Sequence, residues 1–262
     1  MNLHLLNYIE VQGHTELDMP EKILFICGSL NQTIIMHKIA QQLTAYDCFF
    51  TPFFADGIVD FLARKGCLDF SILGGNHKIK TEEYLEEQHL PVDYRGSADN
   101  YHAVVTCTDT LVQKNIQGKR VILVQEGIID EEGLRYKIVK NLKLPRYLAD
   151  TSTTGLSDAY DLFCVASNTY REIFIKKGVK PEKVIATGIP NFDNVEAYKE
   201  NDFPRHNYVL VATSAARETF KTDNRISFIK TVSSEKTGAL QVEARPPRGN
   251  SGLPSSPPHL SC

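Results

Sequence analysis

The sequence lacks any apolar run that approaches the roughly 20 residues needed to cross a membrane. The first residues, MNLHLLNYIEVQGHTELDM, also lack the charged start and continuous apolar core of a secretory signal. An excess of charge of one sign is missing too, because 29 Lys and Arg oppose 32 Asp and Glu, a formal net charge of −3. Without a basic excess, no strong overall field recruits nucleic acid. We expect a cytoplasmic protein without a membrane span or a nucleic-acid partner.

Clustered cysteine and histidine are also absent. The six cysteines form no C-x-x-C pair, and no two of the eight histidines form H-x-x-x-H. These absences argue against a zinc site, a disulfide framework, and hydrolase or metalloprotease chemistry, so no metal ligands are predicted. Cys27, Cys107 and Cys164 lie in or beside apolar runs, and we interpret them as buried packing residues rather than catalytic thiols.

Short apolar runs alternate with segments of helical period over most of the chain. Glycine or a polar turn separates each run from the next segment. This alternation predicts an α/β fold, a Rossmann-like parallel sheet with helices on both faces. The predicted strands are Lys22–Cys27, Cys48–Phe54, His102–Cys107, Arg120–Gln125, Asp161–Ala166 and Lys183–Thr187. The predicted helices are Ile34–Leu43, Ile58–Gly66, Thr110–Gln117 and Thr169–Gly178.

Two segments interrupt this order. Leu68–Tyr101 is less regular, and we interpret it as a surface insertion that carries one helix around TEEYLEEQ, with its glutamates on a solvated face. The polar stretch Thr151–Gly155 (TSTTG) is interpreted as a connector.

The chain divides by composition into four parts. Residues 1–21 form an N-terminal extension and residues 22–200 the Rossmann-like domain. Residues 201–230 begin a second unit with the strand signal Tyr208–Thr213. Residues 231–262 are rich in Pro, Gly and Ser and are predicted to be disordered. Because one strand and part of a helix cannot bury their own apolar faces, we expect that the second domain is truncated.

The segment VKPEKVIATGIPNFD resembles the end of the N-terminal domain in GT-B-fold enzymes, especially the UDP-N-acetylglucosamine 2-epimerase-like group. The match consists of Thr187, Gly188, Ile189, Pro190 and Asp193.

Three further strand ends carry the resemblance. Asp109 and Thr110 match an Asp-Thr pair, Glu126 and Gly127 match the end of a Glu-Ala-Gly strand, and Gly28 with Ser29 stands in the first turn. The family's Pro-Glu-Glu, which includes a catalytic carboxylate, is replaced by Pro145-Arg146-Tyr147.

The resemblance implies a glycosyltransferase-like protein that transfers a sugar from a nucleotide-sugar donor to the hydroxyl of a carbohydrate or polyol acceptor. The nucleotide-sugar is then a substrate, and no cofactor or metal is needed. Two alternatives stay open. One is 2-epimerisation of UDP-N-acetylglucosamine, which the missing Pro-Glu-Glu disfavours, and the other is a non-catalytic binding module.

Four sites are candidates for function. Gly28-Ser29 could bring backbone N–H groups to a donor phosphate, although a turn alone explains this pair equally well. Asp109 and Glu126 follow parallel strands at their carboxyl ends and could be catalytic carboxylates, whereas Asp109 could instead cap a helix starting near Thr110. The resemblance places Arg217 in a loop that helps bind the donor diphosphate; the alternative is a solvated surface arginine.

Overall fold

The computed structural model describes residues 20–98, 100–129, 132–193, 195–198 and 224–234. Within residues 20–198, six strands form one parallel sheet in the order β2-β1-β3-β4-β5-β6. The strands are β1 (Lys22–Cys27), β2 (Asp47–Pro52), β3 (Ala103–Thr106), β4 (Arg120–Val124), β5 (Leu162–Val165) and β6 (Val184–Ala186). The predicted α/β class is confirmed, and each of the six predicted strands is present within two residues of its expected bounds.

Helices connect the strands and cover both faces of the sheet. They are α1 (Leu30–Ala40), α2 (Gly57–Arg64), α3 (Gly75–Glu87), α4 (Leu134–Asn141) and α5 (Asn168–Lys177). Alternate residues of β1 point to opposite faces, so Phe25 joins one buried cluster and Leu24 the other. The first cluster includes Ile35 and Met36 of α1. This burial on both faces explains why the strands read as continuous apolar runs.

The segment between β2 and β3 is an integral part of the sheet's cover rather than a surface insertion. Helix α3 begins at Gly75, six residues before TEEYLEEQ, and it packs against α1. Its Thr81 and Leu85 are buried, and Leu85 belongs to the core cluster on that face. The glutamates of α3 made the segment look solvent-exposed in the sequence, because only two positions of the helix are buried.

The helix predicted over Thr110–Gln117 is wrong. After β3 the chain forms an irregular loop that bends at Thr110 and Leu111 and makes a single 3-10 turn at Lys114–Ile116. Gln113 is buried, and its side-chain amide donates to the carbonyl oxygen of Phe54 over 2.8 Å. The backbone N–H of Lys114 donates to Asp56 over 2.7 Å. These long-range bonds hold the segment as a loop despite its helical period.

The chain divides into two compact units, Met1–Pro204 and Arg205–Cys262. The second unit is described only for residues 224–234, where α6 spans Arg225–Ser234. This helix continues past Lys230, where the composition predicted that disorder begins. The predicted strand Tyr208–Thr213 and Arg217 lie outside the described residues. Among the described helices, none is both long and apolar enough to cross a bilayer.

Arg95 fixes the start of α2 to the turn that follows β2. Its guanidinium donates to Asp60 over 2.8 Å and to the carbonyl oxygen of Ala55 over 2.9 Å, and it lies over the ring of Phe54. Its backbone N–H donates to Thr51. The hydrogen bond from Arg95 lowers the pKa of Asp60 below its ordinary value of 3.8.

We expect Arg95→Gln to lower the free energy of unfolding by about 1 kcal/mol at neutral pH, a modest loss because the pair is partly exposed. Since the folded-state pKa of Asp60 is depressed, its contribution is present above 3.8 and is lost as the pH falls through the lowered value. Urea unfolding of wild type and variant should therefore converge in acid. Arg64→Gln, which breaks a more exposed pair with Asp60, is the control and should cost less. A difference independent of pH would contradict this account.

Candidate functional site

The first strand ends in a tight polar turn that starts α1. Ser29 is the N-cap: its hydroxyl accepts the N–H of Gln32, and the Gln32 side chain accepts the N–H of Ser29 over 3.1 Å. This reciprocal capping box satisfies two N–H groups at the helix terminus. A β-carbon at Gly28 would collide with the Gln32 side chain. A side chain at position 28 would therefore displace the Gln32 amide and break the capping box.

Glu126 lies against this turn, although it follows a strand 97 residues further along the chain. One carboxylate oxygen, Oε1, accepts from the hydroxyl of Ser29 over 3.2 Å and from the amide of Asn31 over 3.0 Å. The other, Oε2, accepts from the amide of Gln32 over 2.6 Å. Strand β3 lies between β1 and β4, so the loops meet above it at the carboxyl end of the sheet. We call Ser29, Asn31, Gln32 and Glu126 the strand-end cluster.

A third loop reaches the strand-end cluster from β6. The side-chain amide of Asn191 donates to the side-chain oxygen of Asn31 over 2.8 Å. Asn191 lies in the 3-10 turn Pro190–Phe192, inside the TGIPNFD segment that carries the family resemblance. The oxygen of the Asn191 side chain is buried without a hydrogen-bond partner among the described residues. Loops after β1, β4 and β6 thus converge at one edge, where open α/β sheets bind their ligands.

The position of Glu126 bears directly on phosphate binding. A helix N-terminus attracts anions through its free N–H groups and its dipole. At α1 these attractions act on the carboxylate of Glu126, and Ser29 and Gln32 already satisfy each other. A phosphate at Gly28-Ser29 would have to displace a carboxylate held by three donors. The predicted role of Gly28 and Ser29 in phosphate binding stays a prediction, and the geometry gives both residues a clear structural task.

Asp109 is separate from the strand-end cluster. It is 4% exposed, and its two carboxylate oxygens accept the backbone N–H groups of Gly155 and Ser157 over 2.9 and 3.0 Å. No helix starts at Thr110, so the alternative that Asp109 is an N-cap is wrong. Its hydrogen bonds are those of a structural residue that fixes a loop. A catalytic role for Asp109 stays a prediction that would require this loop to open.

The loop that Asp109 holds is buried rather than a polar connector. Ser152, Thr153 and Thr154 have little exposed surface. Lys177 of α5 is also buried, and its ammonium donates to the carbonyl oxygen of Ser152 over 2.7 Å. Burial lowers the pKa of Lys177. The TSTTG stretch therefore packs between α5 and the loop after β3. The hydroxyls of Ser152 and Thr153 donate hydrogen bonds to backbone carbonyl oxygens.

The three cysteines near strand ends are buried, as the sequence predicts. Burial raises the pKa of Cys27 and of Cys164 to about 12, and that of Cys107 well above its ordinary value. At neutral pH these thiols are protonated, and the thiolate is the nucleophilic form. They therefore pack in the core and do not supply nucleophiles. Across the described residues, no three His, Cys, Asp or Glu side chains gather at metal-binding distances.

Asn31, Gln32 and Asn191 were missed in the sequence. The signal for Gln32 was available, because Ser29-x-x-Gln32 is the capping-box pattern at the start of a helix. Asn31 and Asn191 gave no local signal, since their contact spans 160 residues. Glu126 and Ser29 were each placed at the carboxyl edge, and the structure joins them.

Two solved structures show a low likeness to the chain. Both are of HepE from Anabaena, one in complex with UDP and glucose and one with UDP. Each alignment covers 64% of this chain, at TM-scores of 0.36 and 0.37 and identities of 16% and 14%. The chain spans 44% of the length of these HepE structures. A likeness this low carries no argument about function. No family model and no curated protein matches the chain.

Proposed function

We propose that the chain is the acceptor-side part of a glycosyltransferase-like protein, which transfers a sugar from a nucleotide-sugar donor to an acceptor hydroxyl. The observation that carries the proposal is the strand-end cluster, in which a half-exposed carboxylate stands at the carboxyl edge of the sheet among amide and hydroxyl groups. The family resemblance of TGIPNFD supports it, because that segment contributes Asn191 to the same edge.

The chemistry of the strand-end cluster suits a sugar hydroxyl better than a phosphate. A carboxylate accepts hydrogen bonds and can take the proton of a hydroxyl that attacks an anomeric carbon. Amides such as those of Asn31 and Asn191 both donate and accept, which matches the alternating donors and acceptors of a polyol. We therefore assign Glu126 to the acceptor, and leave the donor to Arg217 and the second unit as the resemblance implies.

Two alternatives keep some support. A non-catalytic binding module is favoured by the three side chains that donate to Glu126 and hold it as a fixed hydrogen-bond acceptor. The epimerase alternative has less support, because Pro145-Arg146-Tyr147 stands where the family has Pro-Glu-Glu, which includes a catalytic carboxylate. The guanidinium of Arg146 donates to the backbone oxygen of Asp109 over 3.2 Å, which is a structural contact.

We expect Glu126→Gln to lower the rate of sugar transfer on the order of 10²-fold, because the amide cannot accept the proton of the acceptor hydroxyl. The measurement is UDP release from a panel of UDP-sugars with carbohydrate and polyol acceptors. The donor KM should stay unchanged, since Glu126 is assigned to the acceptor.

Glu86→Gln, an exposed carboxamide substitution on α3, is the matched control and should behave as wild type. Measurable and equal rates for Glu126→Gln and wild type would contradict the catalytic assignment. Sugar binding seen by saturation-transfer NMR, lost in Glu126→Gln but without UDP release from any pair, would favour the binding module instead.

A further inference from the structure

An exposed apolar surface lies on and after α4. The helix buries Tyr136 and Val139 but leaves Leu134 and Ile138 at the surface, 74% and 44% exposed. The turn that follows adds further exposed apolar side chains, namely Leu142, Leu144, Tyr147 and Leu148. We call the surface from Leu134 to Leu148 the α4 patch.

Helical geometry explains how the α4 patch is arranged. Each residue of an α-helix advances by about 100°, so Leu134, Ile138 and Leu142 lie within roughly 80° of one another on one side. Arg135 and Lys137 fall on either flank of this stripe. The buried residues Tyr136 and Val139 lie roughly 160° and 100° from the middle of the stripe, and this face anchors the helix to the domain. The apolar stripe therefore faces away from the protein between two basic residues.

The α4 patch is basic throughout. Arg135, Lys137, Lys140, Lys143 and Arg146 lie between Leu134 and Ala149, and no acidic residue lies among them. The Lys140 ammonium donates to the hydroxyl of Tyr136 over 3.1 Å, and the Arg146 guanidinium donates to the backbone oxygen of Asp109. Arg135, Lys137 and Lys143 are exposed. The acidic run Asp130–Glu132 precedes the helix, so the overall charge of −3 conceals a local basic surface.

This pattern distinguishes between possible partners. A second copy of the chain, docked patch to patch, would place like charges against each other. A nucleic acid would satisfy the basic groups but leave the leucines exposed. An anionic lipid surface satisfies both, because apolar side chains enter the boundary of the acyl chains while Lys and Arg meet the phosphates.

We propose that the α4 patch attaches the protein peripherally to the surface of anionic membranes. The attachment is reversible, since it rests on one short helix and its following turn. It is independent of the sugar chemistry at the strand-end cluster and can fail or hold without it.

Co-sedimentation with vesicles tests the proposal. The chain should bind vesicles of phosphatidylglycerol and phosphatidylcholine, should bind pure phosphatidylcholine much less, and should be released by salt. Lys137→Gln with Lys143→Gln should weaken partitioning about 25-fold, or about fivefold per charge. Leu134→Ser with Ile138→Ser should weaken it at least tenfold.

The control uses α2, whose Ile58 and Phe61 are also exposed but stand in a segment where Asp56 and Asp60 balance Arg64 and Lys65. Ile58→Ser with Phe61→Ser should bind as wild type does. Circular dichroism of each variant must match that of wild type, so that loss of binding is not loss of fold.

A fluorescent reporter gives a second, independent measurement. The chain contains no tryptophan, so Leu142→Trp and Ile58→Trp each place a single probe in one apolar surface. Anionic vesicles should shift the emission of Leu142→Trp to the blue and leave that of Ile58→Trp unchanged. The proposal is overturned if neutral and anionic vesicles bind equally, if the α2 variants lose binding as the α4 variants do, or if Leu134→Ser instead abolishes a dimer or the binding of nucleic acid.

Discussion

Replacement of Asp109 by alanine should lower the free energy of unfolding by about 3 kcal/mol, because it leaves the N–H groups of Gly155 and Ser157 without their charged acceptor. The carboxylate is 4% exposed, so water cannot take over these hydrogen bonds without opening the loop. Urea unfolding followed by far-ultraviolet circular dichroism measures the loss.

The matched control is Asp158→Asn in the same loop, because asparagine removes the charge but tolerates the backbone φ of +55° at this position. Asp158 pairs with Lys180 and Lys183 over 2.6 and 2.8 Å, but its side chain is 52% exposed. Its loss should cost well under 1 kcal/mol. Similar losses at both positions would show that burial does not decide the effect.

Asp109→Asn separates a structural from a catalytic role. The amide retains one acceptor oxygen but presents an NH₂ group to the second N–H, so an intermediate loss of stability is expected. If Asp109 is catalytic, this variant loses transfer activity out of proportion to its stability, measured where the protein is still fully folded. If it only holds the loop, activity follows the folded fraction.

The sheet was predictable because its information is local. A strand that is buried on both faces must be apolar at consecutive residues, as Val104 and Val105 are in β3. A glycine or a helix cap such as Ser29 then ends the apolar run. The sequence also shows where each strand ends, which is enough to place Ser29, Asp109 and Glu126 at one edge.

The errors arise where distant residues override a local pattern. Thr110–Gln117 has the period of a helix, but the bonds from Gln113 to Phe54 and from Lys114 to Asp56 hold it as an irregular loop. These partners are 59 and 58 residues away and have no signature in the segment itself.

The different surroundings of the two strand-end carboxylates were not predictable for the same reason. Asp109 and Glu126 both follow buried parallel strands. The structure gives Asp109 two backbone N–H donors in a buried loop and gives Glu126 three side chains at a half-exposed edge. The surroundings of Asp109 depend on the packing of the TSTTG stretch, which the sequence predicted as a polar connector.

Phe163 lies beneath the loop that Asp109 holds. It is fully buried in β5, and its ring meets that of Phe174 edge to face at 4.6 Å. The ring also passes so close to Gly155 that a β-carbon there would come within 2.7 Å of it, at a backbone φ of +82°. Glycine is thus required at position 155 both by its φ and by the ring of Phe163.

Phe163→Ala should lower the free energy of unfolding by about 4 kcal/mol, since it removes a buried ring and leaves a cavity beneath the loop. Phe61→Ala, on the exposed side of α2, is the control and should change stability by less than about 0.5 kcal/mol.

Because Asp109 and Phe163 both hold Gly155, the double variant should lose less stability than the two single variants together. Urea unfolding of wild type, Asp109→Ala, Phe163→Ala and the double variant gives the coupling free energy, for which we expect about 1 kcal/mol. Strict additivity would mean that ring and carboxylate stabilise the loop independently.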